Sequence, residues 1–206
     1  MKLNTNNYKY KELVKWYKKP INNPIKKIIS DQIPLVKKHI PGNNVLFIGL
    51  SDFGKKFNSE KNLSFIMVDE IMSSDHINQS KRLPFEDNSH DVIIIIHALD
   101  YTENPYELIR EIDRIATDDA KVALVGFNRF SLWGFLRPFM NKLVAPWLMH
   151  FHSLYSVREW FKILGYEPSY KETAGFTPMI SRNFSKYLLK ISFVQKILAR
   201  DLGVIY

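Results

Sequence analysis

Cysteine is absent from this chain of 206 residues. That excludes disulfides, thiolate zinc sites and a cysteine nucleophile. Long apolar runs are also missing: the longest purely apolar stretch, residues 92–96, is far short of the roughly 20 residues a membrane-spanning helix needs. The opening MKLNTNNYKYKELVKW has neither the apolar core nor the cleavage site of a secretory signal. There is no internal repeat, no low-complexity tract, no metal-ligand cluster and no nucleophile triad. What is present is ordinary for a globular chain that can bury a core: 46% hydrophobic and 24% charged residues. The expectation is a cytoplasmic protein of one domain, or at most one and a half.

The net charge of +8 is unevenly placed. Residues 1–44 hold ten Lys against Glu12 and Asp31, residues 180–206 are also basic, and residues 45–179 are mildly acidic. Basic ends on an acidic body differ from a nucleic-acid-binding face, although such ends can touch RNA or an anionic membrane. At helical spacing these lysines read first as solvated outer faces of amphipathic helices.

Prolines 20 and 24 divide two predicted helices, 8–19 and 24–39, and Pro34 is expected to kink or restart the second. In that second helix Ile25, Ile28, Ile29, Ile33 and Val36 form one apolar stripe. After the turn at 41–44 the run VLFIG (45–49) reads as a buried parallel strand, followed by a second apolar run at 65–68. The unbroken β-branched stretch 91–100 reads as a strand covered on both faces. Asn104 and Pro105 open a helix with Leu108, Ile109, Ile112, Ile115 and Ala116 on its buried side, and Asp118-Asp119 ends it. A strand at 121–127 and a helix at 156–164 follow. Apolar strands alternating with helices predict an α/β, mostly parallel, Rossmann-like sheet with helices on both faces. The organisation expected is an N-terminal helical extension over 1–41 and a single Rossmann-like domain over 42–206.

Ligands in open α/β sheets sit outside the carboxyl ends of the strands. Those ends carry Gly49-Leu50-Ser51-Asp52-Phe53-Gly54, then Asp69-Glu70, then His97-Ala98-Leu99-Asp100-Tyr101, then Asn128-Arg129. Glycine admits close backbone approach, and an acid at the next strand end can hold ribose hydroxyls. Gly49 and Asp69 stand 20 residues apart, the interval used by nucleoside-binding half-folds.

The stretch LPFEDNSHDV (83–92), running into His97-Ala98-Leu99-Asp100-Tyr101 and Asn104-Pro105, resembles the class I S-adenosylmethionine-dependent methyltransferases, in particular the small-molecule kind labelled type 11. Gly126-Phe127-Asn128 with the following FSLWG (130–134) is similar to a little-characterised bacterial subgroup of that family. The resemblance implies S-adenosylmethionine as cofactor. Gly49, Leu50 and Ser51 would line its methionine part, Asp69 or else Glu70 would hold the ribose, and Arg82 and Leu83 would flank the adenine. His97 would lie beneath the cofactor, facing the acceptor. Two features depart from the family pattern. Phe47 replaces an acid in the first strand, and only the first of three alternating glycines is kept, with Phe53 at the third position.

Methyl transfer needs alignment more than machinery, and no metal is implied. Alignment alone can supply roughly 7–11 kcal/mol of the barrier. If the acceptor must lose a proton, His97 is the best-placed base, then Asp100 and Tyr101; equally, His97 can be a strand-end histidine bonded to backbone. Tyr101, Asn128 and Trp133 are candidate acceptor contacts, Asn128 being as good a candidate for capping its strand end. Trp16, Trp133, Trp147 and Trp160 read as packing residues. His150 and His152 form an H-x-H pair without the third ligand an open metal site wants.

Residues 130–151 are rich in Phe, Leu and Trp, and three accounts compete: a buried helix, a lid over the acceptor, or an interfacial segment touching lipid. A lid would imply an apolar acceptor. The function expected is methyl transfer to a small, unidentified, apolar acceptor, without DNA or an obligate protein partner. A non-catalytic module that keeps the fold and a basic-ended RNA methyltransferase are the alternatives.

Overall fold

The computed structural model describes residues 5–39, 44–53, 63–66 and 82–167. Two helices come first, α1 (Thr5–Lys18) and α2 (Asn23–His39), separated by a 3-10 turn at Pro20–Asn22. Proline sits at that turn because its fixed φ suits a helical start and its missing N–H is not needed there. α2 runs on through Pro34 as one continuous helix, without the expected restart. Leu13, Trp16 and Tyr17 of α1 and Ile25 and Ile29 of α2 face the core.

Four strands follow: β1 (Val45–Gly49), β2 (Leu63–Ile66), β3 (His90–Ile96) and β4 (Ala116–Val125). All three neighbouring pairs are parallel, and the order is β2-β1-β3-β4. The Rossmann-like expectation is met. Chain order reverses between β1 and β3, so the crevice between Gly49 and Ile96 is the switch point where such sheets bind ligands. Ile93, Ile94, Ile95 and Ile96 are buried on both faces of the sheet, each stabilising the fold by about 1.5–3 kcal/mol relative to exposure.

Several boundaries differ from the sequence reading. β3 stops at Ile96, because His97 takes a left-handed φ of 58° and turns the chain into a short helix, α3 (Ala98–Tyr101). The strand after helix α4 (Pro105–Ile115) begins at Ala116 and carries Asp118 and Asp119 within it. Those acids are tolerated because they point to solvent, while Ala116 and Ala120 face inward. Asn104 does precede α4, but its side chain makes no capping bond. Helix α5 (Leu132–Leu136) and a 3-10 turn (Arg137–Phe139) lead to helix α6 (Leu154–Ile163), capped by the Ser153 side chain accepting from Ser156 N–H. The second apolar run is realised at Leu63–Ile66; its predicted residues 67–68, together with Asp69 and Glu70, lie outside the described residues.

Candidate functional site

Gly49 ends β1 with φ +105°, and a Cβ there would lie 2.2 Å from the Ile96 carbonyl oxygen. Its glycine is therefore demanded by the close approach of β3. The same carbonyl accepts the Leu50 N–H at 3.2 Å. Leu50 is buried, and Ser51–Phe53 forms one 3-10 turn that tucks Phe53 into the core.

At the end of β3 the turn at His97 builds a buried relay. His97 Nδ1 lies 2.7 Å from Asp100 Oδ2, three residues on, and its Nε2 lies 2.6 Å from the Tyr17 hydroxyl, eighty residues away on α1. His97 and Asp100 are 0% exposed and Tyr17 is 4%. Burial, then the charge of Asp100, pushes the Tyr17 phenol well above its usual range. Tyr17 therefore keeps its proton and donates it to Nε2, which leaves Nδ1–H donating to Asp100. Asp100 Oδ2 also accepts the Phe127 N–H at 2.9 Å. Phe127 lies against the imidazole, centroids 4.4 Å apart, and Phe53 meets Tyr17 edge-on at 5.2 Å. Two buried polar atoms in this region, Asp100 Oδ1 and Trp133 Nε1, have no hydrogen-bond partner among the described residues, an uncommon state that usually has a reason.

Of the residues singled out from sequence, the fold brings Gly49, Leu50, His97 and Asp100 together at the switch point. Arg82 is exposed, and Leu83 is buried with its N–H donating to Glu111 Oε2. Tyr101 is buried, its ring 5.7 Å edge-on from Tyr10. Asn128 is buried, and its Oδ1 accepts the Phe130 N–H, closing the turn after β4. Trp133 packs between Trp16 and Trp147. His150 Nε2 takes a hydrogen bond from Lys9 Nζ at 3.0 Å, and His152 Nε2 donates to the Leu99 carbonyl at 3.1 Å. Tyr17 was not read from sequence; a tyrosine at the end of an amphipathic helix looks like any core aromatic until its distant partner is placed.

A narrow recess of about 10 Å³ opens among Val14, Tyr17, Lys18, Lys26, Leu50, Asp52 and Phe53. Tyr17 packs edge-on against Phe53 beside Leu50 and holds His97 Nε2 through its hydroxyl.

Residues 58–124 match the family described as a methyltransferase domain. YafS of Escherichia coli strain K12, an uncharacterised protein, is 34% identical over 87 residues, which are 41% of this chain and 36% of that protein. The uncharacterised MJ1123 of Methanocaldococcus jannaschii is 28% identical over 114 residues, 52% of this chain and 56% of that one. The matched region thus spans well under two thirds of the length of either relative. A SAM-dependent methyltransferase from Thermotoga maritima superposes with a TM-score of 0.52 at 13% identity, covering 76% of this chain and 83% of that one. At that identity the likeness is one of fold. The described parallel sheet and its switch point give this chain a Rossmann-like fold like that of the S-adenosylmethionine-dependent methyltransferase it superposes on, and residues 58–124 match a methyltransferase domain.

Proposed function

We propose that this protein transfers a methyl group from S-adenosylmethionine to a small acceptor, and that α1 must withdraw Tyr17 before it can do so. The carrying observation is the buried Tyr17–His97–Asp100 relay at the switch point of a sheet whose sequence matches a methyltransferase domain. The bound sulfonium supplies an already activated methyl group, so the protein's work is to align and desolvate. Asp100 holds the Nδ1 proton and so keeps Nε2 as an acceptor; with Tyr17 gone, that nitrogen can take a proton from the acceptor. Gly49, Leu50 and Ser51, Asp69 or Glu70, and Arg82 with Leu83 remain the proposed cofactor contacts. Tyr101, Asn128 and Trp133 are the proposed acceptor contacts, and residues 130–151 the proposed lid.

A second reading has specific support. The bulk of Phe53 and Tyr17 over the β1 end favours a binding module that kept the fold and lost the cofactor. Titration calorimetry with S-adenosylmethionine and S-adenosylhomocysteine separates the two. The enzyme reading expects binding that Asp69→Ala abolishes and Tyr17→Ala tightens. No heat from either variant or the parent at millimolar ligand would leave the binding module.

A further inference from the structure

Residues 130–151 have two faces. Inward, Trp133, Trp147, Met149 and Phe151 are buried, and Phe151 stacks on Phe127 at 5.1 Å, which in turn lies on His97. Outward, Phe130, Phe135, Phe139 and Leu143 are 62%, 72%, 79% and 69% exposed, with Val144 at 44%. Tyr8 of α1, itself 41% exposed, joins them by donating its hydroxyl to the Leu143 carbonyl at 3.3 Å. Scattered exposed apolar side chains are ordinary, but this many large ones on one short segment mark an interaction surface.

The charge on this segment says what the surface meets. Between Asn128 and His152 the charged residues are Arg129, Arg137 and Lys142, with no Asp or Glu. Arg137 is half-buried along the Phe151 ring, with its Nε donating to the Trp147 carbonyl. Burial and the like charge of Arg129 both lower its proton affinity. Arg129 and Lys142 are exposed. A second copy of this chain would bring cations against cations across a twofold contact, which works against self-association. Exposed phenyl rings bordered by cations without acids match an anionic lipid interface, where rings enter the acyl boundary and each Lys or Arg meets the negative surface.

We propose that residues 130–144, with Tyr8, dock this protein on an anionic membrane surface. Phe135 and Phe139 enter the bilayer, and Arg129 and Lys142 contact the lipid phosphates. This does not depend on methyl transfer, and its test needs no turnover. The full chain is sedimented with vesicles of phosphatidylcholine alone and with vesicles containing one-third phosphatidylglycerol. Expected is retention on the anionic vesicles that falls as salt screens the attraction. Phe135→Asp/Phe139→Asp should lose retention, and Arg129→Glu/Lys142→Glu should weaken it by roughly 30-fold or more. Both variants should keep the parent melting temperature, since all four side chains are substantially exposed; Phe139→Ser repeats the test if the double change unfolds the chain. Equal retention on pure phosphatidylcholine, none on either vesicle, or retention untouched by the variants would overturn the proposal. So would a dimer in sedimentation velocity that Phe135→Asp/Phe139→Asp dissolves.

Discussion

The Tyr17 hydroxyl stands 2.6 Å from His97 Nε2, and with that bond the first helix reaches across the sheet edge and closes its switch point. The bond is buried at both ends, so neither partner can exchange it for water while α1 stays docked.

Tyr17→Phe removes the donor and leaves Nε2 unsatisfied, which should destabilise the fold by about 1–3 kcal/mol in urea unfolding. Tyr17→Ala should cost more, about 3–5 kcal/mol by analogy with other aromatic truncations. It should also expose His97 to an acylating reagent that leaves the parent's His97 unmodified. Equal reactivity of His97 in both proteins would mean that Tyr17 does not shield the imidazole.

Asp100→Asn keeps the shape and removes the acceptor charge. One amide oxygen cannot replace the carboxylate toward both His97 Nδ1–H and Phe127 N–H without aiming an amide N–H₂ at buried surroundings. The expected loss is about 2–3 kcal/mol, with the amide oxygen in the Oδ2 place and the imidazole proton still on Nδ1 in nitrogen-15 shifts of parent and variant. A proton on Nε2 in the parent would contradict the assigned tautomer.

Glycines here differ sharply in what they prevent. A Cβ at Gly49 would meet the Ile96 oxygen at 2.2 Å with φ at +105°, and one at Gly134 would meet the Arg129 oxygen at 1.8 Å. At Gly165, φ is +90° but nothing lies within 4 Å. Gly165→Ala should therefore cost only backbone strain, about 1–3 kcal/mol. Gly49→Ala should cost more, the same strain plus a backbone clash. A Gly165→Ala loss equal to that of Gly49→Ala would mean the clash relaxes freely.

Stability should fall at both ends of the pH range. Burial lowers His150, helped by Lys9, and lowers His90 against the pull of Asp91; both start from the ordinary 6.5. The unfolded chain then binds more protons, so stability should drop as pH falls below 6.5. Burial and Asp113 raise Tyr166 from 10.0 to about 12. The folded state holds that proton more tightly, so its contribution is complete below pH 10 and is lost as pH rises toward 12. Melting temperatures across pH should show both slopes. Tyr166→Phe should flatten part of the alkaline one, Tyr17 supplying the rest in the same direction.

Much of the fold was legible because its signals are local. β1 and the core of β3 announce themselves as short apolar runs, and α4 by the three-and-four spacing of Leu108, Ile109, Ile112 and Ile115. The errors fell where tertiary pairing overrules local pattern. Asp118 and Asp119 look like a helix stop, yet pairing of β4 with β3 holds them in a strand. His97 looks like one more strand residue until its left-handed turn starts α3. His97 and Asp100 were legible as candidates from their place at a strand end, whereas nothing near Tyr17 in sequence points to them.

The order of apolar runs, turns and amphipathic stretches by itself determined that this chain builds a parallel α/β sheet with chemistry-bearing residues at its carboxyl edge, because burial follows periodicity and periodicity is local. Only the tertiary structure decided that α1 folds back onto that edge, joining Tyr17 to a histidine eighty residues away. It also decided that residues 130–144 turn their phenyl rings outward. Both depend on which surfaces meet, and a contact between distant segments is a property of the assembled packing that no window of neighbouring residues contains.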